Sequence, residues 1–386
     1  MAHALLCSGF KARVGHLLKR FPHDQTLTGF FHSQSGEWDS NGEVLWILAR
    51  YARLTGRPLG EPLRKAVRKG AKWICRKRLG AEKGALHAGL LPAGFSAEHL
   101  GNNDYYYWDN FWAIAGLKAA AALCRSWQQK KEAIEFLKEA ADLQKAVDES
   151  LSRSQEIRNH PGLPASPYRR MDAGAVGSLV AAYPLTLLPP DDERMIGTCR
   201  FLMDNCMVNN AFFQDMIHSG LNAYLTLHLA QVLLRTGDTR FRHLIKAVAD
   251  LATPTGQWPE AIHPRTGGGC MGDGQHGWAA AEWVMMMRHL FIREEPDHLM
   301  IGSGLFPEWL RNGNSLHYGP TPTPYGDIEI RVSCSGDSCT MRWDAQWKTE
   351  PPRILLNVPG FVPMEIDGAG TSEVTLQSSQ QSEGIP

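Results

Sequence analysis

Apolar residues recur at three- and four-residue spacing from the start of the chain to about Ile292. The pattern predicts helices over roughly 2–20, 42–56, 61–79, 109–125, 128–151, 173–187, 191–206, 220–236, 239–252 and 277–292, about ten in all, or five helical hairpins. Connections between them alternate in length. The short ones carry turn signals, as in Thr55-Gly56-Arg57-Pro58, Pro189-Pro190-Asp191-Asp192 and Thr236-Gly237-Asp238. The long ones are rich in Trp, Tyr, Asp, Asn, Arg and Gly. In two concentric rings of helices the long loops all fall at one end, which then carries the chemistry. The expected fold class is therefore all-α, an (α/α) toroid of five to six helical hairpins.

After Glu294-Glu295-Pro296 the periodicity changes. Gly and Pro punctuate alternating stretches such as Asp327 to Ser333 and Thr340 to Trp343, which predict a small C-terminal β-rich appendage ending near Leu376. The expected division is a helical domain over 1–295, the appendage over 296–376 and a polar, disordered tail over 377–386.

Lys plus Arg and Asp plus Glu both number 40, so the formal charge is zero and no footprint for nucleic acid or an anionic membrane is present. The 12 Trp, 9 Tyr and 14 Phe cluster in the long loops as well as on helix faces, which favours a neutral carbohydrate as partner. The first residues place an apolar run before basic ones, the reverse of a secretory signal, and no stretch approaches a membrane span; a cytoplasmic protein is expected. Of the eight cysteines only Cys334 and Cys339 can pair locally, across a Ser-Gly-Asp-Ser turn, and in a reducing compartment they are expected to stay free thiols.

Five long loops carry polar clusters: Gly36 to Asp39, Asp104 to Trp112, Ser166 to Asp172, Phe212 to Asp215 and Gln257 to Trp278. Two of them set a carboxylate beside a tryptophan, at Asp109 and at Glu260. A pair of carboxyl groups for proton transfer, with aromatic faces to stack a ring, is what sugar cleavage requires. Trp38, Asp39, Tyr107, Trp108, Trp258, Trp278, Gln214 and His276 are the candidates for holding the sugar. Asp39, Asp109 and Asp172 each precede a helical run, where a capping or first-turn carboxylate is the plainer explanation. Glu260 is not at a helix start, and its plainer reading is a surface loop acid. Cys270, Asp273 and His276 share its loop but match no zinc spacing, so no metal and no cofactor are expected. The strings at Gly256-Gln257-Trp258 and Gly277-Trp278 lack the Asp-rich segment that a terpene cyclase needs.

Loop by loop over most of Leu27 to Phe291, these motifs resemble the six-hairpin (α/α)6-barrel glycosidases of the glucoamylase and trehalase type. Trp108-Asp109 stands where the family's catalytic acid follows a tryptophan, with Asp as in the trehalase-like members. The run Tyr168-Arg169-Arg170-Met171-Asp172 resembles an Arg-then-Asp motif opening a small-residue helix, which implies that Arg169 or Arg170, with Asp172, holds substrate hydroxyls. Glu260, followed by a Gly-rich run and Trp278, matches the order around the family's base. Trp38-Asp39-Ser40-Asn41-Gly42 is similar to its Arg-Asp-Gly turn, without the arginine. Matched in this way, the chain is expected to start at the second of the six helix pairs, without the pair whose Trp, Arg and Asp grip the nonreducing sugar.

The resemblance implies hydrolysis with inversion. Asp109, its pKa raised by the surrounding aromatic wall, protonates the glycosidic oxygen while Glu260 activates water; Asp104 is the substitute acid. Two other readings are a noncatalytic carbohydrate-binding or scaffold domain of the same descent, and a sugar epimerase using His218, His263 or His276 as acid and base.

Overall fold

The computed structural model describes residues 1–80, 82, 84–95, 103–160, 162–215, 219–272, 274–311, 313–370 and 372–379. Of the positions raised from the sequence, His218, Asp273 and residues 380–386 lie outside these. The helices are α1 (Ala2–Cys7), α2 (Lys11–Leu18), α3 (Ser40–Thr55), α4 (Glu61–Lys77), α5 (Tyr107–Ser126), α6 (Lys130–Arg158), α7 (Glu193–Asn205), α8 (Ala223–Thr236), α9 (Phe241–Asp250) and α10 (Gly277–Phe291). The described chain divides into two compact units, one of Ala12–Ala52 and Gly56–Ala280, the other of Met1–Lys11, Arg53–Thr55 and Ala281–Pro386.

In the helical unit, burial separates two kinds of helix. α8 is buried from Ala223 to Arg235 and α5 over most of its length, as helices in the middle of a fold are, whereas α4 and α9 bury one apolar stripe and expose the rest. α5 packs on α6, α4 and a 3-10 helix over Ala173–Ala181, and α8 packs on α9. α3 and α5 touch backbone to backbone: a Cβ on Gly42 would stand 2.2 Å from Trp112 O, and one on Gly116 would stand 2.6 Å from Gly42 Cα. Only glycine permits this approach, and it draws the N-termini of α3 and α5 together. α8 ends at Gly237, whose φ of 81° lets its N–H reach Leu233 O.

The structure departs from the expected helices in two places. The first run breaks at Gly9-Phe10 into α1 and α2, and the run expected over 173–187 is a 3-10 helix that stops at Ala181. The all-α expectation also misses a five-stranded sheet inside the helical unit: β1 (Met207–Val208), β2 (Ala211–Gln214), β3 (Gly220–Leu221), β4 (Ala261–Ile262) and β5 (Gly269–Met271), hydrogen-bonded in that order. Strands of two to four residues are too short to show a two-residue period, so nothing in the hydrophobic pattern marks them.

The second unit holds β6 (Ile292–Glu294), β7 (His298–Ile301), β8 (Ser315–Pro322), β9 (Gly326–Ser335), β10 (Ser338–Trp347), β11 (Arg353–Leu356), β12 (Met364–Asp367) and β13 (Glu373–Gln377). They form two four-stranded sheets, β13-β10-β9-β8 and β12-β11-β7-β6. β9 alternates, turning Ile328, Ile330, Val332 and Cys334 into a core shared with Leu299, Met341, Trp343 and Leu356. Cys334 and Cys339 face each other across β9 and β10 as free thiols. Arg288, wholly buried on α10, is held by Glu294 at 2.7 and 3.0 Å, Thr321 Oγ1 at 3.1 Å and Pro322 O at 3.0 Å. The chain stays hydrogen-bonded beyond the expected start of the tail, with Gln377 in β13 and the Ser378 and Ser379 amides bonded to Asp337 O and Gly360 O.

Candidate active site

The start of α3 is fastened before it presents its side chains. Asn41 accepts from the Phe31 amide at 2.8 Å and donates to Gly29 O and Gly70 O at 3.0 Å, while Ser40 Oγ donates to Phe31 O at 2.6 Å. These bonds fold the Phe31–Trp38 loop onto the helix. Asp39 occupies the N-cap position without capping; its Oδ2 instead accepts a 2.7 Å hydrogen bond from Trp108 Nε1. Burial pushes the Asp39 carboxyl up to about 6, the Trp108 bond opposes the shift and nearby Glu37 adds to it. Trp38, half-buried, donates to Ala93 O at 3.3 Å and has the Lys77 ammonium 3.7 Å from its ring centroid.

At the start of α5, Tyr106 is the extended N-cap residue and Asp109 lies in the first turn, only 1% exposed. The segment before it runs beside the 165–169 loop, with Tyr107 N donating to Ala165 O at 3.0 Å and Ser166 Oγ to Asp104. Arg169 clasps Asp172 through Nη2 at 2.8 Å and Nε at 3.2 Å, and Asp172 caps the 3-10 helix by accepting from Gly174 N at 2.9 Å. The Tyr106 hydroxyl bonds Arg169; burial raises its pKa, Arg169 opposes this, and the charges of Asp104 and Asp109 add to it. Arg169, Asp172 and Tyr106 thus form one cluster, beside the first turn that carries Asp109. Arg170 is exposed beside it.

A recess of about 100 Å³ is lined by Glu260, Gln214, Asn222, Tyr224, Leu225, His276 and Trp278. The small sheet builds it: β2 delivers Gln214, β4 begins directly after Glu260, and a Cβ on Gly272 would lie 3.2 Å from Glu260 Cβ. Asn222 caps α8 through Leu225 N at 2.9 Å and turns its amide to Gln214 Oε1 at 3.3 Å. Trp278, 39% exposed, meets Tyr224 edge-on at 4.9 Å.

A chain of rings joins the recess to the helix mouths. Tyr224 stacks on His228 at 6.0 Å, His228 meets Trp108 edge-on at 6.5 Å, and Trp108 reaches Asp39. His228 is buried and donates Nε2–H to Tyr183 O at 2.8 Å; burial pulls its pKa down to about 4 despite that bond, so it is neutral near pH 7. A larger furrow of about 930 Å³ lies along Lys118, Leu137, Gln144, Lys145 and Glu149, but it is open and has no aromatic wall.

Two expected sugar-holding residues face elsewhere. Tyr107 is buried with its hydroxyl 2.8 Å from Ser150 Oγ on α6, because the helical turn rotates it away from Trp108. Trp258 is buried and donates its indole N–H to Val248 O at 2.8 Å; with its carbonyl accepting from His276 N at 2.8 Å, it supports the loop from beneath. Asn222, Tyr224 and His228 were not singled out from the sequence. An Asn ahead of an apolar run is an N-cap signal, and it would have marked Asn222. Among the described residues no group of three or more His, Cys, Asp and Glu could hold a metal ion, and no helix is long and apolar enough to cross a membrane.

No protein-family model matches the sequence, and no curated protein matches it. Solved structures do match its fold. A glycosidase variant in complex with glucose aligns with a TM-score of 0.53 at 16% identity, over 75% of this chain and 85% of its own. A bacterial glucoamylase complexed with acarbose aligns with a TM-score of 0.56 at 15% identity, over 74% of this chain and 47% of its own. An alpha-L-rhamnosidase from Dictyoglumus thermophilum aligns with a TM-score of 0.57 at 11% identity, over 97% of this chain and 46% of its own. The fold of this chain is similar to that of these glycosidases, in line with the resemblance of its loops.

Proposed function

We propose that the protein is a glycoside hydrolase that cleaves a neutral oligosaccharide or glycoside with inversion. The observation that carries the reading is the recess at Glu260, joined through Tyr224, His228 and Trp108 to the helix mouth that holds Asp109. A carboxylate in an amide- and aromatic-lined recess, linked by a chain of rings to the helix mouth that carries a second carboxyl group, suits a sugar and a water better than a charged substrate.

In the proposed step Asp109 gives its proton to the glycosidic oxygen as the bond from that oxygen to the anomeric carbon breaks. Glu260 takes a proton from a water whose oxygen bonds that carbon from the opposite face. Inversion calls for carboxyl groups about 6.5–9.5 Å apart. Arg169 and Asp172 hold sugar hydroxyls, with Gln214, Trp38, His276 and Trp278 on the other walls. In this proposal the helices close as an (α/α) toroid over 1–295, with 296–376 as its appendage.

The glucose and acarbose bound to two of the fold neighbours make glucosides the first substrates to try. The test is hydrolysis of a panel of α- and β-linked glucosides by the wild type, Asp109→Asn and Glu260→Gln, with the anomer of the product read by NMR. Loss of turnover on both changes, with an inverted first product, is the expected result. Full activity in either variant refutes the assignment of that carboxyl group, and a retained anomer refutes inversion.

A further inference from the structure

Beside the Asp109 helix mouth lies a group of rings that this mechanism does not use. Pairing of the 104–107 segment with the 165–169 loop brings Tyr105 and Tyr168 side by side, ring centroids 5.9 Å apart at 59°. The Tyr168 hydroxyl accepts from Leu86 N at 3.2 Å and lies 2.7 Å from His87 Nδ1. On the other side of the imidazole, Nε2 faces Glu82 at 3.5 Å. Held in this way, His87 lies flat on Tyr105, centroids 4.1 Å apart at 5°.

Tyr168 is nevertheless 43% exposed. Its hydroxyl is bound within the protein although the residue as a whole is open to solvent, the reverse of a tyrosine that packs its ring and wets its hydroxyl. Its place in the chain is equally specific. Tyr168 directly precedes Arg169, which binds Asp172 and Tyr106, and Tyr105 lies one residue before Tyr106 and four before Asp109. A general acid protonates the leaving oxygen, so the leaving group lies on the acid's side of the bond.

We propose that Tyr168, backed by His87 and Tyr105, is a stacking platform for the sugar ring that leaves, so that the enzyme takes an oligosaccharide in preference to a glycoside with a small leaving group. This rests on the hydrolase reading. A ring pinned by two hydrogen bonds loses little freedom when a pyranose settles on it, which makes the platform effective for its size.

The experiment compares the full-length wild type, Tyr168→Ala and Tyr168→Phe on maltotriose and on α- and β-D-glucosyl fluoride, whose leaving group is a single atom. The expected result is a fall of about tenfold, or about 1.4 kcal/mol, in the ratio of kcat/KM for maltotriose to that for the fluoride in Tyr168→Ala. Tyr168→Phe, which keeps the ring and loses its pins, falls between. An unchanged ratio overturns the proposal, and general damage to the fold lowers both substrates without moving the ratio. Where the wild type turns over neither substrate, the glucosidase reading fails and calorimetric binding of maltotriose decides the platform: weaker binding by Tyr168→Ala supports it, and equal binding or none by the wild type overturns it.

Discussion

Trp108, the residue before the candidate acid, donates its indole N–H to Asp39 over 2.7 Å and across 69 residues of sequence. One hydrogen bond thereby ties the mouth of α5 to the mouth of α3, and it acts on the titration of the carboxyl it meets. Trp108→Phe removes the bond that opposes the Asp39 shift while leaving burial in place. The Asp39 pKa should then rise above about 6, as read by carboxyl NMR titration against Asp39→Asn. An unchanged or lower value would show that the bond does not bear on the carboxylate.

Asp39 and His228 should pull stability in opposite directions over the same pH range. Asp39 has a folded pKa of about 6, above its ordinary 3.8, so its contribution is present below about 4 and lost as pH rises through 6. His228 has a folded pKa of about 4, below its ordinary 6.5, so its contribution is present above 6.5 and lost as pH falls through 4. Each is worth up to about 3 kcal/mol from the size of its shift. Urea unfolding from pH 4 to 6.5 should show these two contributions largely cancelling in the wild type. Asp39→Asn should leave a stability that climbs with pH, and His228→Phe one that falls.

The contact of Gly42 with Gly116 leaves no room for a methyl group. Gly116→Ala should force α3 and α5 apart and cost about 1–3 kcal/mol in urea unfolding despite alanine's better helix propensity. Activity should fall with it, because the same crossing sets Asp39 against Trp108. A neutral or stabilised Gly116→Ala would mean that the crossing gives way easily.

In the second unit, Glu294→Ala strands the buried Arg288 guanidinium and should cost about 3–5 kcal/mol. The double change Arg288→Met with Glu294→Leu removes both charges and should recover much of that loss. Equal destabilisation by the single and double variants, measured by the same unfolding, would place the cost in packing instead of charge.

Much of this architecture is written locally in the chain. The helices of the first 292 residues and the strands of β9 and β10 follow from apolar spacing, since each element must bury one face or all of itself, and that demand shows in a window of ten residues. The acidic, aromatic loops at Asp109 and Glu260 were equally visible, and so was the order that resembles the glycosidases. The short strands β1 to β5 were not, although they carry Gln214 and flank Glu260, because two residues have no period to read.

Tertiary structure decided which of several neighbours does what. The sequence offers Tyr105, Tyr106 and Tyr107 in a row, and only the fold sends Tyr107 to Ser150, Tyr106 to Arg169 and Tyr105 to His87. It also buries Trp258 while exposing Trp278, clasps Arg169 to Asp172 while leaving Arg170 outside, and brings in Tyr224 and His228, which no motif marked. The reason is physical. Periodicity records a residue's own burial, which its near neighbours settle, whereas a site is made by contacts between segments tens of residues apart. Those contacts depend on crossings such as Gly42 against Gly116, and they exist only once the helices have packed.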